Sequence, residues 1–279
     1  MSDDRDINIL TDIPEWNASL VDHLGRLGVS VTMVADPVEV PAKGLLLNRV
    51  SAKKASEDRQ FSERVEEFLS EQEKGGRQVI NGAYCHHLGY DKLAQAALFE
   101  GCGVRTPLTR PVVMPNRSLP DLDVLLKPLA GSYGRGIVAL AAGEPVPDAL
   151  AEPEGGFLEQ ERVDALDGAI HRVEVLGPGI LYEAVTPLVP GSFDYCLATG
   201  DLDTTLTVDL APSVELAVLT IAKEAGMTIG SVEYLLGPGE VPFFIDLNPV
   251  SSLHPGAAQQ LGFDPSRRFA EWLMSRDRG

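Results

Sequence analysis

Three oxygen-bearing side chains near the C-terminus have the types and spacing to hold a hard metal ion. Glu233 closes the run Gly230-Ser231-Val232-Glu233, and Asp246 and Asn248 lie in Phe243-Phe244-Ile245-Asp246-Leu247-Asn248-Pro249. Residues two apart on a strand share a face, so Asp246 and Asn248 point the same way and a neighbouring strand can set Glu233 beside them. Carboxylate and amide oxygens suit Mg²⁺, which completes its shell with water and phosphate rather than sulfur or imidazole. Acidic residues at strand ends more often only face water. Upstream, however, Lys127 ends an apolar run and precedes the turn Gly131-Ser132-Tyr133-Gly134-Arg135-Gly136. Glycines let backbone N–H groups approach phosphate oxygens, and a lysine on the adjoining strand adds a point charge. The pairing suits a nucleoside triphosphate, although a β-hairpin with a flexible tip has the same outline. It is not a Walker A loop, because no Gly-Lys-Ser/Thr follows and the next element reads as a strand.

The elements that must position these groups alternate. Strands are predicted at 7–10, 29–34, 45–48 and 78–81, with helices over 16–27 and 57–74, the latter carrying Phe61, Val65, Phe68 and Leu69 at helical spacing and stopped by Gly75-Gly76. This is the pattern of a small Rossmann-like lobe over residues 1–88, yet no Gly-x-Gly-x-x-Gly follows its first strand, so no dinucleotide is implied. Beyond it, Lys92 opens a helix over 91–100, and 104–113 reads as extended. Strands at 124–127 and 136–140 flank the glycine turn, a loop runs over 143–156, and a strand follows over 156–163. Further strands at 171–176 and 180–186, a helix over 212–225 and the two metal-candidate strands complete an α/β (α+β) chain, with helices over 254–274 read as structural.

Composition sets limits on partners. A chain of 279 residues with 44% hydrophobic content can bury a core in two or three lobes. It has no apolar run long enough to span a bilayer, and its acidic start, MSDDRDINIL, is unlike a secretory signal, so a cytoplasmic protein is expected. Cys85, Cys102 and Cys196 are dispersed and form no Cys-x-x-Cys, which argues for reduced thiols over a disulfide framework or zinc knuckle. With 23 basic against 41 acidic residues and a net charge of −18, a nucleic-acid footprint is excluded. An anionic ligand therefore needs a local cationic site.

The ordered set of Lys92, Lys127 with its glycine turn, the strand Glu159-Gln160-Glu161-Arg162-Val163, Arg172, Glu233 and Asp246-x-Asn248 resembles the ATP-grasp superfamily, and within it the RimK-like carboxylate–amine ligases. The likeness runs from Asn48-Arg49 and Val79-Ile80-Asn81 through Asp91-Lys92-Leu93, Thr106-Pro107-Leu108-Thr109 and Lys127-Pro128 to the metal strands. It implies an ATP-grasp fold, with ATP between α+β subdomains over 89–160 and 161–279 behind the N-terminal lobe. It sets Lys92 and Lys127, with Gly131, Ser132, Tyr133, Gly134, Arg135 and Gly136, on the phosphates or adenine edge, Glu161, Arg162 and Val163 at the adenine hinge, and Glu159 and Gln160 among the nucleotide-binding residues. Glu233, Asp246 and Asn248 would hold two Mg²⁺ ions, with Mn²⁺ an acceptable substitute.

The reaction so implied moves the γ-phosphoryl group to a carboxylate, and an amine then attacks the acyl phosphate, giving an amide or peptide bond on an amino acid-like substrate with release of ADP and phosphate. In such chemistry the protein positions and neutralises, which makes Arg172 and Lys127 the catalytic candidates. A closing glycine turn would exclude water. The implied partners are a small-molecule carboxylate and amine, or a peptide or carrier protein, with no nucleic acid and no membrane; a homo-oligomer stays open. The alternatives are an ATP-grasp kinase or a catalytically silent nucleotide-binding protein, the latter disfavoured by retention of all three metal-ligand candidates.

Two positions depart from the family pattern. Ile170 stands where a ribose-binding acid is usual, leaving Asp164 or Asp167 as substitutes, and Ser192-Phe193-Asp194-Tyr195-Cys196 replaces an Arg- and Asn-bearing substrate loop, so a different substrate is expected. Asn48, Arg49, Ser251, Ser252 and His254 are the substrate-side candidates, although a helix start at Pro255 explains Ser and His equally well. Cys85-His86-His87 reads as a turn or core feature, since adjacent residues rarely converge on one ion. Ala130-Gly131-Ser132-Tyr133-Gly134 has the outline of a nucleophile elbow, but an elbow needs a helix next and 136–140 is β-like.

Overall fold

The first lobe is built on strands β1 (Ile7–Thr11), β2 (Val31–Val34), β3 (Leu45–Arg49) and β4 (Val79–Ile80), all parallel in the order β2-β1-β3-β4. Every residue of β1 is buried, as a central strand covered on both faces must be. Helix α1 (Ala18–Arg26) covers one face, setting Leu20 and Leu24 on Ile7 and Ile9. Helices α2 (Ala52–Glu57) and α3 (Arg59–Lys74) follow β3, and Phe61, Val65 and Leu69 of α3 pack on Leu10 and Leu46. The helix predicted over 57–74 is α3, which starts two residues later because the Asp58 carboxylate accepts from the Phe61 N–H and caps it, and the short α2 before it was not predicted. The structure is a computed structural model that describes residues 6–112, 116–129, 134–147, 156–189 and 203–276.

Helix α4 (Ala83–Tyr90) was not legible from its histidine- and glycine-containing sequence, and forms because Cys85 and Leu88 drop into the core. His86 is buried there on the Ser62 carbonyl, so Cys85-His86-His87 belongs to packing. Helix α5 (Lys92–Gly101) follows at once, capped by Asp91, which accepts from the N–H groups of Leu93 and Ala94. A small antiparallel sheet then forms from β5 (Thr109–Pro111), β6 (Val124–Pro128), β7 (Val138–Leu140) and β8 (Phe157–Glu161) in the order β5-β8-β6-β7.

The third sheet is antiparallel, ordered β11-β10-β9-β12-β13, from β9 (Ala169–Leu176), β10 (Gly179–Pro187), β11 (Thr205–Thr207), β12 (Ile229–Gly237) and β13 (Val241–Asn248). Helix α6 (Pro212–Glu224) packs Val214, Val218 and Ile221 on Val173, Val175 and Val232, joined by Leu88 and Phe99 from α4 and α5. Helix α5, grouped by sequence with 89–160, therefore docks on the C-terminal sheet. After α7 (Ala257–Leu261), the last helix α8 (Pro265–Ser275) returns to the first lobe, where Phe269, Ala270 and Leu273 join Ile7, Leu20 and Leu24. The lobes are also tied by Asn81, in left-handed backbone at φ 54. Its amide donates to the Ile229 and Pro249 carbonyls at 2.6 and 2.7 Å and accepts from the Thr228 N–H at 2.8 Å. Among the described residues no helix is long and apolar enough to cross a membrane.

Candidate active site

Two rows of polar side chains cross one face of the C-terminal sheet. Pairing aligns Arg172 of β9 with Glu233 of β12 and Glu233 with Asp246 of β13, and the adjacent row aligns Glu174, Ser231 and Asn248. A β-bulge makes this face possible. Strict alternation would put Asp246 and Asn248 with Phe244 in the core, but pairing shifts between Glu233–Asp246 and Tyr234–Phe244, leaving Ile245 as the extra residue. Phe244 and Leu247 can then both enter the core while Asp246 and Asn248 turn to the opposite face. Gly230 permits the close approach of β12 and β13 here, since a Cβ on it would lie 2.5 Å from the Asn248 carbonyl oxygen.

Charges of both signs interlock on this face. Arg172 donates through Nε to Glu174 Oε1 at 2.8 Å and through Nη1 to Glu233 Oε1 at 2.9 Å. The Asn248 amide donates to the same Glu233 oxygen at 3.1 Å. Lys92, from the first turn of α5, reaches around the edge strand to pair with Asp246. Burial raises the Glu233 carboxyl above its ordinary range, aided by the charge of Asp246 and opposed by Arg172 and Lys92. An ammonium and a guanidinium thus already sit on the two carboxylates, and the set of two carboxylates and one amide fits a hard divalent ion at the same oxygens. Among the described residues no three His, Cys, Asp or Glu side chains form a metal cluster.

The small sheet faces this row with Lys127. Its ammonium donates to Gln160 Oε1 at 2.6 Å. Burial lowers its pKa to about 8, against the pull of Asp246 and Glu233. Gly134 and Gly136 hold left-handed backbone at φ 66 and 73, and a Cβ on Gly136 would lie 3.0 Å from Pro128 Cγ, so glycine is required where the turn folds back on β6. Arg135 is exposed between them. Gly131, Ser132 and Tyr133, and the loop Ser192 to Cys196, lie outside the described residues.

Glu159, a sequence candidate for the nucleotide, is not brought to the site. It is fully buried on the other face of β8, where it accepts from Arg117 Nε at 2.8 Å and from the Ser118 and Leu119 N–H groups. The reason is alternation: Glu159 and Glu161 share the face of Phe157, which packs with Val124 and Leu126, while Gln160 shares the face of Lys127. Glu161 accepts from the Leu108 N–H at 3.1 Å. Arg162 is exposed beside Asp164, and Val163 is half-buried. Asp167 is engaged by His171 Nε2 at 2.8 Å, and His171 also contacts Glu183 through Nδ1 at 3.0 Å. Burial alone would lower the His171 pKa, but these two carboxylates outweigh it and the net shift is upward.

Of the substrate-side candidates, Arg49 and Ser251 meet in the interior, Arg49 Nη2 donating to the Ser251 carbonyl at 2.6 Å and Nε to Asn17 Oδ1 at 2.9 Å. Ser251 Oγ in turn donates to Glu174 Oε1 at 2.7 Å. Asn48 instead holds the Asn81 carbonyl at 3.1 Å, and Ser252 is exposed. His254 Nδ1 accepts from the Gly256 N–H at 3.1 Å, the local turn role that its sequence allowed. Sequence reasoning missed Glu174 and Ser231. The available signal was a carboxylate two residues beyond Arg172 in an apolar strand.

No family model and no curated protein matches this sequence. Solved structures do match its backbone. The ATP-grasp ligase PsnB complexed with minimal precursor, Mg and ADP superposes with a TM-score of 0.70 at 14% identity, over 99% of this chain and 98% of that one. The D-cycloserine synthetase DcsG gives 0.68 at 15% identity, over 97% and 99%. The macrocyclase MdnC, bound with precursor peptide MdnA from Microcystis aeruginosa MRC, gives 0.65 at 15% identity, over 97% and 99%. With an antiparallel sheet carrying Lys127 set near the Glu233–Asp246 row of a second antiparallel sheet, the chain has the ATP-grasp fold.

Proposed function

We propose that the chain is an ATP- and Mg²⁺-dependent ligase that activates a carboxylate as an acyl phosphate and joins it to an amine, releasing ADP and phosphate. The observation that carries this is that Lys92 and Arg172 pair with Asp246 and Glu233, and Lys127 lies near enough to both carboxylates to feel their charge, in an ATP-grasp fold. Glu233, Asp246 and Asn248 would hold Mg²⁺, which supplies charge neutralisation along the phosphates when bound. Lys92 and Lys127 bind the phosphates, and Arg172, held by Glu174, stabilises charge developing on the transferred group. No side-chain nucleophile is needed. Among the similar structures, PsnB and MdnC are bound to precursor peptides, whereas DcsG is a D-cycloserine synthetase, which supports an acceptor that is either peptidic or small.

The test incubates the protein with ATP, Mg²⁺ and pooled carboxylates and amines, amino acids included, following phosphate release and new masses. Amine-dependent ADP release with a condensed product is expected. ADP formed without any amine, together with a stable phosphorylated product, would make the chain a kinase instead. Asp246→Ala and Asn248→Ala should each lower turnover by about 100-fold or more while leaving the circular dichroism spectrum unchanged.

A further inference from the structure

At the start of the parallel strands, between the first sheet and the last turn of α8, lies a cavity of about 410 Å³. Strand direction sets it apart from the candidate active site. Ile7 and Leu45 begin β1 and β3 at the cavity, whereas Arg49, about 13 Å further along β3, meets Ser251 and through it Glu174 beside Arg172. Cations gather at the cavity. Lys43, Arg77 and Arg276 line it, and among the described residues none of the three forms an ion pair, although the chain carries 41 acidic residues to 23 basic ones. Asp6 lines the same space, yet its carboxylate pairs with none of them. Arg77 is held ready. Its Nε donates to the Gly44 carbonyl at 2.9 Å, Nη1 to Gln72 Oε1 at 2.9 Å and Nη2 to the Lys43 carbonyl at 3.1 Å, which fixes the guanidinium plane and leaves one N–H on each Nη. Burial lowers the Arg77 pKa and no carboxylate opposes the shift. Gly44 stands at φ 88, where a Cβ would lie 2.4 Å from the Asp6 carbonyl oxygen, so glycine is required for the turn that brings Lys43 past the start of β1. The remaining wall is largely apolar, built by Ile7, Leu45, Leu273 and Met274.

We propose that this cavity binds a small organic anion with an apolar body, its carboxylate or phosphate on Arg77, Lys43 and Arg276 and its body on Ile7, Leu45, Leu273 and Met274. The volume suits a ligand of metabolite size. Inorganic phosphate would leave the apolar wall uncovered, and a neutral hydrocarbon would leave three cations unanswered. Because the walls belong to the first sheet and to α8, which Phe269 and Leu273 fasten to that lobe, a bound anion ties the two together and stabilises the folded chain by mass action. The cavity and the ligase function proposed above stand independently.

The test is calorimetric titration of the whole protein with octanoate, octyl phosphate and 1-naphthoate, set against octanamide, 1-naphthamide and inorganic phosphate. At least one of the three anions should bind with one-to-one stoichiometry and raise the melting temperature. The matching amide and inorganic phosphate should each bind about 10-fold or more weakly, the first losing the charge-assisted bonds and the second the apolar contact. Lys43 and Arg276 are exposed, so Lys43→Gln and Arg276→Gln should leave the fold intact; each should weaken the same anion several-fold, and the double variant by about 10-fold or more. Affinity for Mg²⁺ with the non-hydrolysable ATP analogue AMPPNP should stay that of the wild type in all three variants. Absence of binding by all three anions overturns the site, as does equal binding of an anion and its amide, or an anion affinity unmoved in the double variant.

Discussion

Arg172 is held at two points of its guanidinium by Glu174 and Glu233, so its orientation is set before any ligand arrives. Lys127 is prepared differently: burial weakens its hold on a proton, and only nearby carboxylates keep that effect within bounds. A phosphate arriving beside it favours the charged form and raises its pKa again. Nucleotide binding near pH 8 to 9 should therefore take up a proton, whereas at pH 6, with Lys127 already protonated, this uptake should vanish. Calorimetry in two buffers of different ionisation enthalpy reads the difference, and Lys127→Met should abolish it. The linkage to folding has a definite sign. Because the folded pKa is about 8 and the ordinary value is 10.5, the unfolded chain binds more protons between them, and this residue adds stability as pH rises through that window.

Strands β12 and β13 carry the candidate metal ligands, and their geometry depends on one bulge and one glycine. Ile245 is the extra residue that lets Phe244 and Leu247 both face the core while Asp246 faces the cleft. Gly230 lets the Asn248 carbonyl come within the space a Cβ would take. Gly230→Ala should cost about 1–3 kcal/mol through overpacking against backbone that cannot yield easily, and should weaken Mg²⁺–ADP binding because Asn248 must move. Urea denaturation and a nucleotide titration check the two effects. Unchanged affinity at reduced stability would show that the strand shift does not reach the ligands. On α5, Gln95 donates to the Leu247 carbonyl and accepts from the Leu247 N–H, which fixes the helix that carries Lys92 against the strand that carries Asp246.

The molecule is closed on itself by two devices distant in sequence: α8 packed on α1, and Asn81 bonded to the start of β12 and the end of β13. Asn81→Ala strands backbone groups at the start of β12 and just past β13 and sets alanine at φ 54, so a loss of at least about 2 kcal/mol is expected in urea. Asn81→Gly removes the same bonds without the backbone penalty, and the difference between the two variants isolates the conformational part. Much of this architecture was legible in the sequence, because alternating apolar runs, Gly75-Gly76 and the Asp91 cap act over a few residues. The order of Lys92, Lys127, Arg172, Glu233 and Asp246-x-Asn248 likewise pointed to the fold now seen, since ligand types must recur where the chemistry needs them. Alternation along β8 already separates Glu159 from Gln160, but which face turns to the site, and that Arg117 meets the buried Glu159, depend on how the sheet and a loop pack rather than on spacing. Nor could α4 or the return of α8 to the first lobe be read, both being products of burial between distant segments. By itself the sequence determined which side chains were available and which local elements would carry them. Only the tertiary structure decided which face each one reached, through a one-residue bulge at Ile245, and which buried charges met in the interior, as Arg49 and Glu174 do at Ser251.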